Sequence, residues 1–140
     1  MIRKFKQSDL EEVSQLWLAS NIDSHEFIDS NYWSDNLTSV KEMFLDAEIY
    51  VYDYQGIKGF IGFMDSYLAG IFIESKSRSL GFGKKLLDFG KSIKNTINLS
   101  VYKKNVGAYN FYRREGFVVS DESIDEATGE IEYLMEYIHE

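Results

Sequence analysis

Tyr67-Leu68-Ala69-Gly70-Ile71-Phe72-Ile73, then Arg78-Ser79-Leu80-Gly81-Phe82-Gly83 leading into an amphipathic run to about Lys94, then Ile97-Asn98-Leu99-Ser100-Val101-Tyr102, is the stretch that decides the architecture. The first and last runs are β-branched and aromatic, as strands are. Between them a glycine-bearing turn opens a helix whose Phe82, Leu86, Phe89 and Ile93 recur at helical spacing and are expected to face the core. Strand, helix, strand is a right-handed crossover, so the two strands should be parallel neighbours. A helix that starts on such a turn presents free backbone N–H groups and a partial positive charge, which suit an anion.

Upstream, Ile2 to Phe5 reads as a short strand. Ser8 with Glu11 reads as a capping box for a first helix carrying Leu10, Val13 and Leu16 or Trp17. A second helix is expected over Trp33 to Leu45, with Trp33, Leu37, Val40 and Phe44 as its stripe. Glu48 to Tyr54 and Ile57 to Met64 join the strand from Tyr67 in an antiparallel meander, through the tight turns Gln55-Gly56 and Asp65-Ser66. Downstream, Asn105 is placed to cap a helix from Val106 to Glu115 that carries Ala108, Phe111 and Tyr112, and Gly116 ends it. A strand from Phe117 to Ser120, an acidic loop from Asp121 to Gly129 and a last strand from Ile131 to Ile138 complete a mixed, mostly antiparallel α+β sheet.

Composition bounds the function. The 140 residues, 44% apolar, suffice for one domain spanning 1–140. Without cysteine there is no disulfide frame and no thioester on the protein, and with only His25 and His139 a zinc site is not expected. The net charge of -8, from 15 basic and 23 acidic residues, disfavours nucleic acid as a partner and favours cationic ones. No leader segment or apolar run of membrane-spanning length is evident, so the chain reads as cytoplasmic, with no membrane partner. The glycine turn is neither a P-loop, since Gly83 is followed by Lys84 and Lys85, nor a dinucleotide fingerprint, since Leu86 stands where the third glycine would be. Yet Lys76, Arg78, Lys84 and Lys85 cluster around it in an acidic chain, either as solvated surface charges or as partners for an anion.

The turn from Arg78 to Gly83 taken with Asn105-Val106-Gly107-Ala108-Tyr109-Asn110-Phe111-Tyr112 and Gly116-Phe117 resembles the GCN5-related N-acetyltransferase (GNAT) family. The resemblance runs in order along nearly the whole chain and is weakest between Ser20 and Asp46. It implies helices on both faces of the sheet and acetyl-coenzyme A as acyl donor. Main-chain groups of Ile71, Phe72 and Ile73 would hold the pantetheine arm, on a strand splayed from that of Ile97 to Tyr102. Arg78, Ser79, Leu80, Gly81, Phe82, Gly83 and Lys84 would hold the pyrophosphate. Asn105 would bond the pantetheine, and Tyr112 would give its proton to the leaving thiolate; the alternatives are a simple helix cap and a core aromatic. The chain departs from the family at Ser75, where proline is frequent, and at Ser79 and Leu80, which replace a frequent glycine and basic residue.

The acceptor amine must lose a proton before it attacks, and Glu74, Asp65, Glu48 and His25 are the candidate bases. His25-Glu26-Phe27-Ile28 with Asn31-Tyr32-Trp33 is similar to the substrate-side region of the YiaC and YjaB type of bacterial acetyltransferases, which act on protein lysines. That likeness, the negative charge and the aromatic cluster make a lysine or N-terminal amine of a cationic peptide or protein the expected acceptor, with His25, Phe27, Trp33 and Tyr67 around it. A polyamine or aminoglycoside acceptor, and an acyl-coenzyme A-binding module without turnover, are the competing readings. Monomer and homodimer are equally open.

Overall fold

The computed structural model describes residues 1–139. Strand alternation distributes the core. In β2 (Glu48–Asp53), Ile49 and Val51 enter one apolar cluster while Tyr50 and Tyr52 point to another. The first cluster is closed by Val13, Leu16 and Trp17 of α1 (Leu10–Ser24) and Phe44 of α3 (Leu37–Asp46). The second is closed by Leu86 and Leu87 of α4 (Phe82–Ile93) and Tyr112 of α5 (Val106–Arg114). Helices therefore cover both faces of a single sheet.

With β1 (Ile2–Lys4), β3 (Ile57–Met64), β4 (Tyr67–Ile73), β5 (Thr96–Tyr102), β6 (Val118–Ile124) and β7 (Ile131–Ile138), that sheet has seven strands in the order β1-β2-β3-β4-β5-β7-β6. The β4–β5 pair is parallel and every other pair antiparallel; the chain crosses over through α4 between β4 and β5, and again through α5, because β7 lies between β5 and β6. Gly90 lets α4 lie close on β3, since a Cβ there would stand 2.8 Å from the Phe63 ring. Among the described residues no helix is long and apolar enough to cross a membrane.

Four local expectations are corrected. The helix expected over Trp33 to Leu45 is two: α2 (Ser30–Asp35) and α3, broken at Asn36, whose side-chain amide donates to the Tyr32 carbonyl at 2.6 Å and competes with the helical pattern. No side chain caps α1, and the capping box lies earlier than Ser8 with Glu11, between Lys6 and Asp9 across the 3-10 turn Gln7–Asp9. The buried Asp9 carboxylate accepts from the Lys6 backbone N–H at 2.8 Å and from the Arg3 guanidinium at 2.9 and 3.1 Å, and these bonds hold it below the usual carboxylate range. Ile93 is exposed, and α4 instead buries Leu86, Leu87 and Gly90. The acidic stretch from Asp121 is strand as far as Ile124, because an edge strand tolerates outward charge.

Candidate active site

Strands β4 and β5 are bridged only at Tyr67 and Asn98. Two residues on, β4 carries a bulge: Gly62 pairs with Gly70 and Phe63 with Leu68, leaving Ala69 unpaired against β3. A bulge bends its strand, and β4 then diverges from β5 into a cleft of about 770 Å³, with Ile71, Phe72 and Ile73 on one side and Ser100, Val101 and Tyr102 on the other. The β4 residues named from the sequence thus stand on the wall of a gap between parallel strands. Their main-chain edge toward β5 is not closed by a ladder.

At one end of the cleft the chain turns into α4. Ser79 and Gly81 have φ of 69° and 82°, the left-handed region, which is costly for the serine and free for the glycine. The first intrahelical bond of α4 runs from the Lys85 N–H to the Gly81 carbonyl at 3.1 Å, so the N–H groups of Phe82, Gly83 and Lys84 precede the helical ladder, and no side chain caps them. Arg78, Ser79 and Gly83 line the cleft; Leu80, Phe82 and Lys84 do not. The Leu80 side chain is exposed, Phe82 stacks on Tyr52 with ring centroids 4.4 Å apart, and the Lys84 ammonium bonds Glu115 at 3.1 Å and Asp88 at 3.3 Å. These three contribute backbone to the turn rather than side chain. Arg78 is tied across the cleft mouth to Asp23 at the end of α1.

Near the middle, Asn105 caps α5: its Oδ1 accepts from the Ala108 N–H at 3.2 Å. That bond fixes which way the amide faces, so Nδ2 points to His25 Nε2, 3.1 Å away, and must donate to it. His25 therefore carries its proton on Nδ1, which is buried without a partner among the described residues, and burial holds its pKa below that of a free imidazole. The one free lone pair of the neutral ring is thus engaged by the Asn105 amide. Tyr112, 8% exposed, lines the same cleft, and no described group hydrogen-bonds its hydroxyl. Burial first and the neighbouring Tyr67 second push its phenol well above the ordinary value, so it stays protonated.

Aromatic rings close the far side. His25 stacks on Trp33 at 5.2 Å and meets Tyr102 edge-on at 5.2 Å; Trp33 is buried and meets Trp17 at 5.8 Å. His25, Trp33 and Tyr67 all line the cleft. Phe27 does not: it packs edge-on behind His25 and Tyr102, with the Lys104 ammonium 5.7 Å over its ring. The carboxylates considered as bases are placed elsewhere. Glu74 accepts from Ser77 Oγ at 2.8 Å, Glu48 is bonded by Lys94 at 2.6 Å and by Tyr50, and Asp65 sits on an exposed turn. The acid that does line the cleft is Glu132 on β7, missed in the sequence because only the strand register brings it opposite Tyr102.

A family model described as an acetyltransferase (GNAT) domain matches residues 45–119. The peptidyl-lysine N-acetyltransferase YiaC of Escherichia coli strain K12 is 36% identical over 124 residues, which are 86% of this chain and 85% of that protein. The solution structure of apo-form YjaB from Escherichia coli has the same fold, with a TM-score of 0.86 at 22% identity over 100% of this chain and 98% of that one. PaiA N-acetyltransferase from Thermoplasma acidophilum, solved in complex with coenzyme A, gives a TM-score of 0.84 at 20% identity, covering 99% and 98%.

Proposed function

Because the chain belongs to the GNAT family, we propose that this cleft moves an acetyl group from acetyl-coenzyme A to the ε-amine of a lysine in a peptide or protein. The chain is an N-acetyltransferase that uses acetyl-coenzyme A as cosubstrate. The observation that carries the site assignment is the gap beyond the single β4–β5 bridge, whose lining includes Gly83 in the uncapped first turn of α4.

The residues fit that cosubstrate. The N–H groups of Phe82, Gly83 and Lys84, with Arg78 and Ser79 beside them, suit a pyrophosphate. The β4 edge from Ile71 to Ile73 suits the amide-bearing arm by strand addition. Acetyl-coenzyme A supplies an acyl group already activated as a thioester. The protein's part is positioning and proton movement: β4 main-chain donors orient and polarise the carbonyl, and the Tyr112 phenol holds a proton for the sulfur that departs. Asn105, with its amide shared between Ala108 and His25, sets the position of α5 and hence of Tyr112.

Three observations favour lysine as acceptor. The far wall is aromatic, a surface that takes a methylene stem and a cation together. The chain carries a net charge of -8. The relative at 36% identity is a peptidyl-lysine N-acetyltransferase. The test is coenzyme A release with a lysine peptide, an intact protein, spermidine and an aminoglycoside as acceptors. Highest kcat/KM with the peptide or protein supports the reading; turnover of the small amines alone overturns the acceptor, and no turnover with tight acetyl-coenzyme A binding points to a binding module.

A further inference from the structure

Glu132 of β7 lines the cleft, opposite Tyr102 of β5, and on a pleated sheet directly opposed residues share a face. Its carboxylate has no hydrogen-bond or ion-pair partner among the described residues. The contrast with Asp125, in the loop between β6 and β7, is informative. Asp125 accepts from the Tyr102 hydroxyl at 2.6 Å and from Thr128 Oγ1 and the Ala127 N–H, each at 3.1 Å. Asp125 is thus committed to structure, whereas Glu132 is half-buried, faces the cleft and is left without a cation in a chain where Glu48, Glu74, Glu115 and Glu130 all have one.

We infer that Glu132 is the carboxylate that receives the acceptor ammonium and takes its proton. This rests on the acetyltransferase reading above and names a residue that the sequence did not single out. Of the two protons the acceptor nitrogen gives up, Glu132 takes the first and passes it to solvent. The nitrogen–carbon bond then forms as the carbon–sulfur bond breaks, Tyr112 gives its proton to sulfur, and the second nitrogen proton restores the phenol. Atoms and charge balance without any further reactant.

The surroundings suit the role. Burial first and the charge of Asp125 second raise the Glu132 pKa above the ordinary carboxylate range, which makes it a stronger base. The titratable groups around it are Tyr102 on β5, Asp125 in its loop, Tyr32 on α2 and, across the Tyr102 ring, His25; on β6 its neighbour is the uncharged Ser123. Lys104 is paired with Glu130 at 3.3 Å, so it does not neutralise Glu132.

The experiment compares wild type, Glu132→Gln and Glu132→Asp on a single-lysine peptide from about pH 7 to about pH 10, the upper limit lying near the reference lysine pKa. Glu132→Gln should keep its acetyl-coenzyme A affinity and lose roughly 10²-fold in kcat/KM for the peptide near neutral pH. The deficit should shrink as pH rises, because the free amine then forms without a base, and Glu132→Asp should recover part of the loss. Unchanged turnover in Glu132→Gln, a deficit equal at every pH, or a rise in KM with kcat intact at every pH overturns the inference. If wild type acetylates only a small amine, the lysine reading fails instead, and the same pH series on that amine decides the role of Glu132.

Discussion

The side chains of Asn105 and His25 meet at 3.1 Å, across 80 positions of sequence, and this contact joins the end of α1 to the start of α5. Since the Asn105 amide is oriented by the Ala108 N–H, the histidine is held as the neutral tautomer with a buried Nδ1–H. Two readings that the sequence leaves apart, a helix cap and a pocket histidine, are one structural unit.

A pH effect on stability follows. The His25 pKa is depressed in the folded state, chiefly by burial, so below the reference value of about 6.5 the unfolded chain binds the extra proton more readily than the folded one. The stabilisation is present above that pH and is lost as pH falls toward the folded-state pKa. Thermal unfolding at about pH 7.5 and about pH 5.5 should show a smaller drop in Tm for His25→Gln than for wild type; equal drops would remove His25 from the linkage.

The turn before α4 should be sensitive in backbone rather than in volume. A Cβ on Gly81 would meet nothing within 4 Å, yet its φ of 82° is a conformation that a β-branched residue resists, at about 1–2 kcal/mol or more. Gly81→Val should therefore weaken acetyl-coenzyme A binding by at least about tenfold. Gly83→Ala should leave the fold nearly unchanged, its Cβ standing 3.9 Å from Ile73 Cγ1. Calorimetric titration measures the affinity, and equal values for Gly81→Val and wild type would take the pyrophosphate away from this turn.

The meander, the β4–β5 crossover and the helix starts at Gly81 and Asn105 could be read in the sequence because each rests on local chemistry: β-branched runs, glycine at a left-handed position, asparagine at a cap. The break at Asn36 was hidden because Trp33, Leu37, Val40 and Phe44 keep helical spacing through it, while the Asn36 side chain bonds back to Tyr32. Strand β6 past Ser120 was hidden because its residues are all exposed and mostly polar, a pattern that an edge strand shares with a loop. Glu132 was hidden among 23 acids until the β5–β7 register set it opposite Tyr102.

Acceptor recognition should depend on the aromatic wall in graded fashion. Trp33 is buried, and truncation to alanine would cost about 3–5 kcal/mol of stability and obscure the result, so Trp33→Phe is the informative change. Losing part of a cation–π wall worth about 0.5–1 kcal/mol predicts a roughly two- to fivefold rise in acceptor KM with acetyl-coenzyme A KM unchanged. Phe27→Ala, acting from behind His25, should have the smaller effect. An acceptor KM identical in all three proteins would place the peptide elsewhere.

Single-turnover acetylation of an N-terminally blocked peptide carrying one lysine, followed by mass, tests most directly whether the cleft between β4 and β5 transfers acetyl groups with Tyr112 as proton donor. Wild type should add one acetyl group to the lysine; Tyr112→Phe should bind acetyl-coenzyme A as tightly and react roughly 10²- to 10⁴-fold more slowly. A Tyr112→Phe rate equal to that of wild type, with the chemical step limiting, would contradict the assignment.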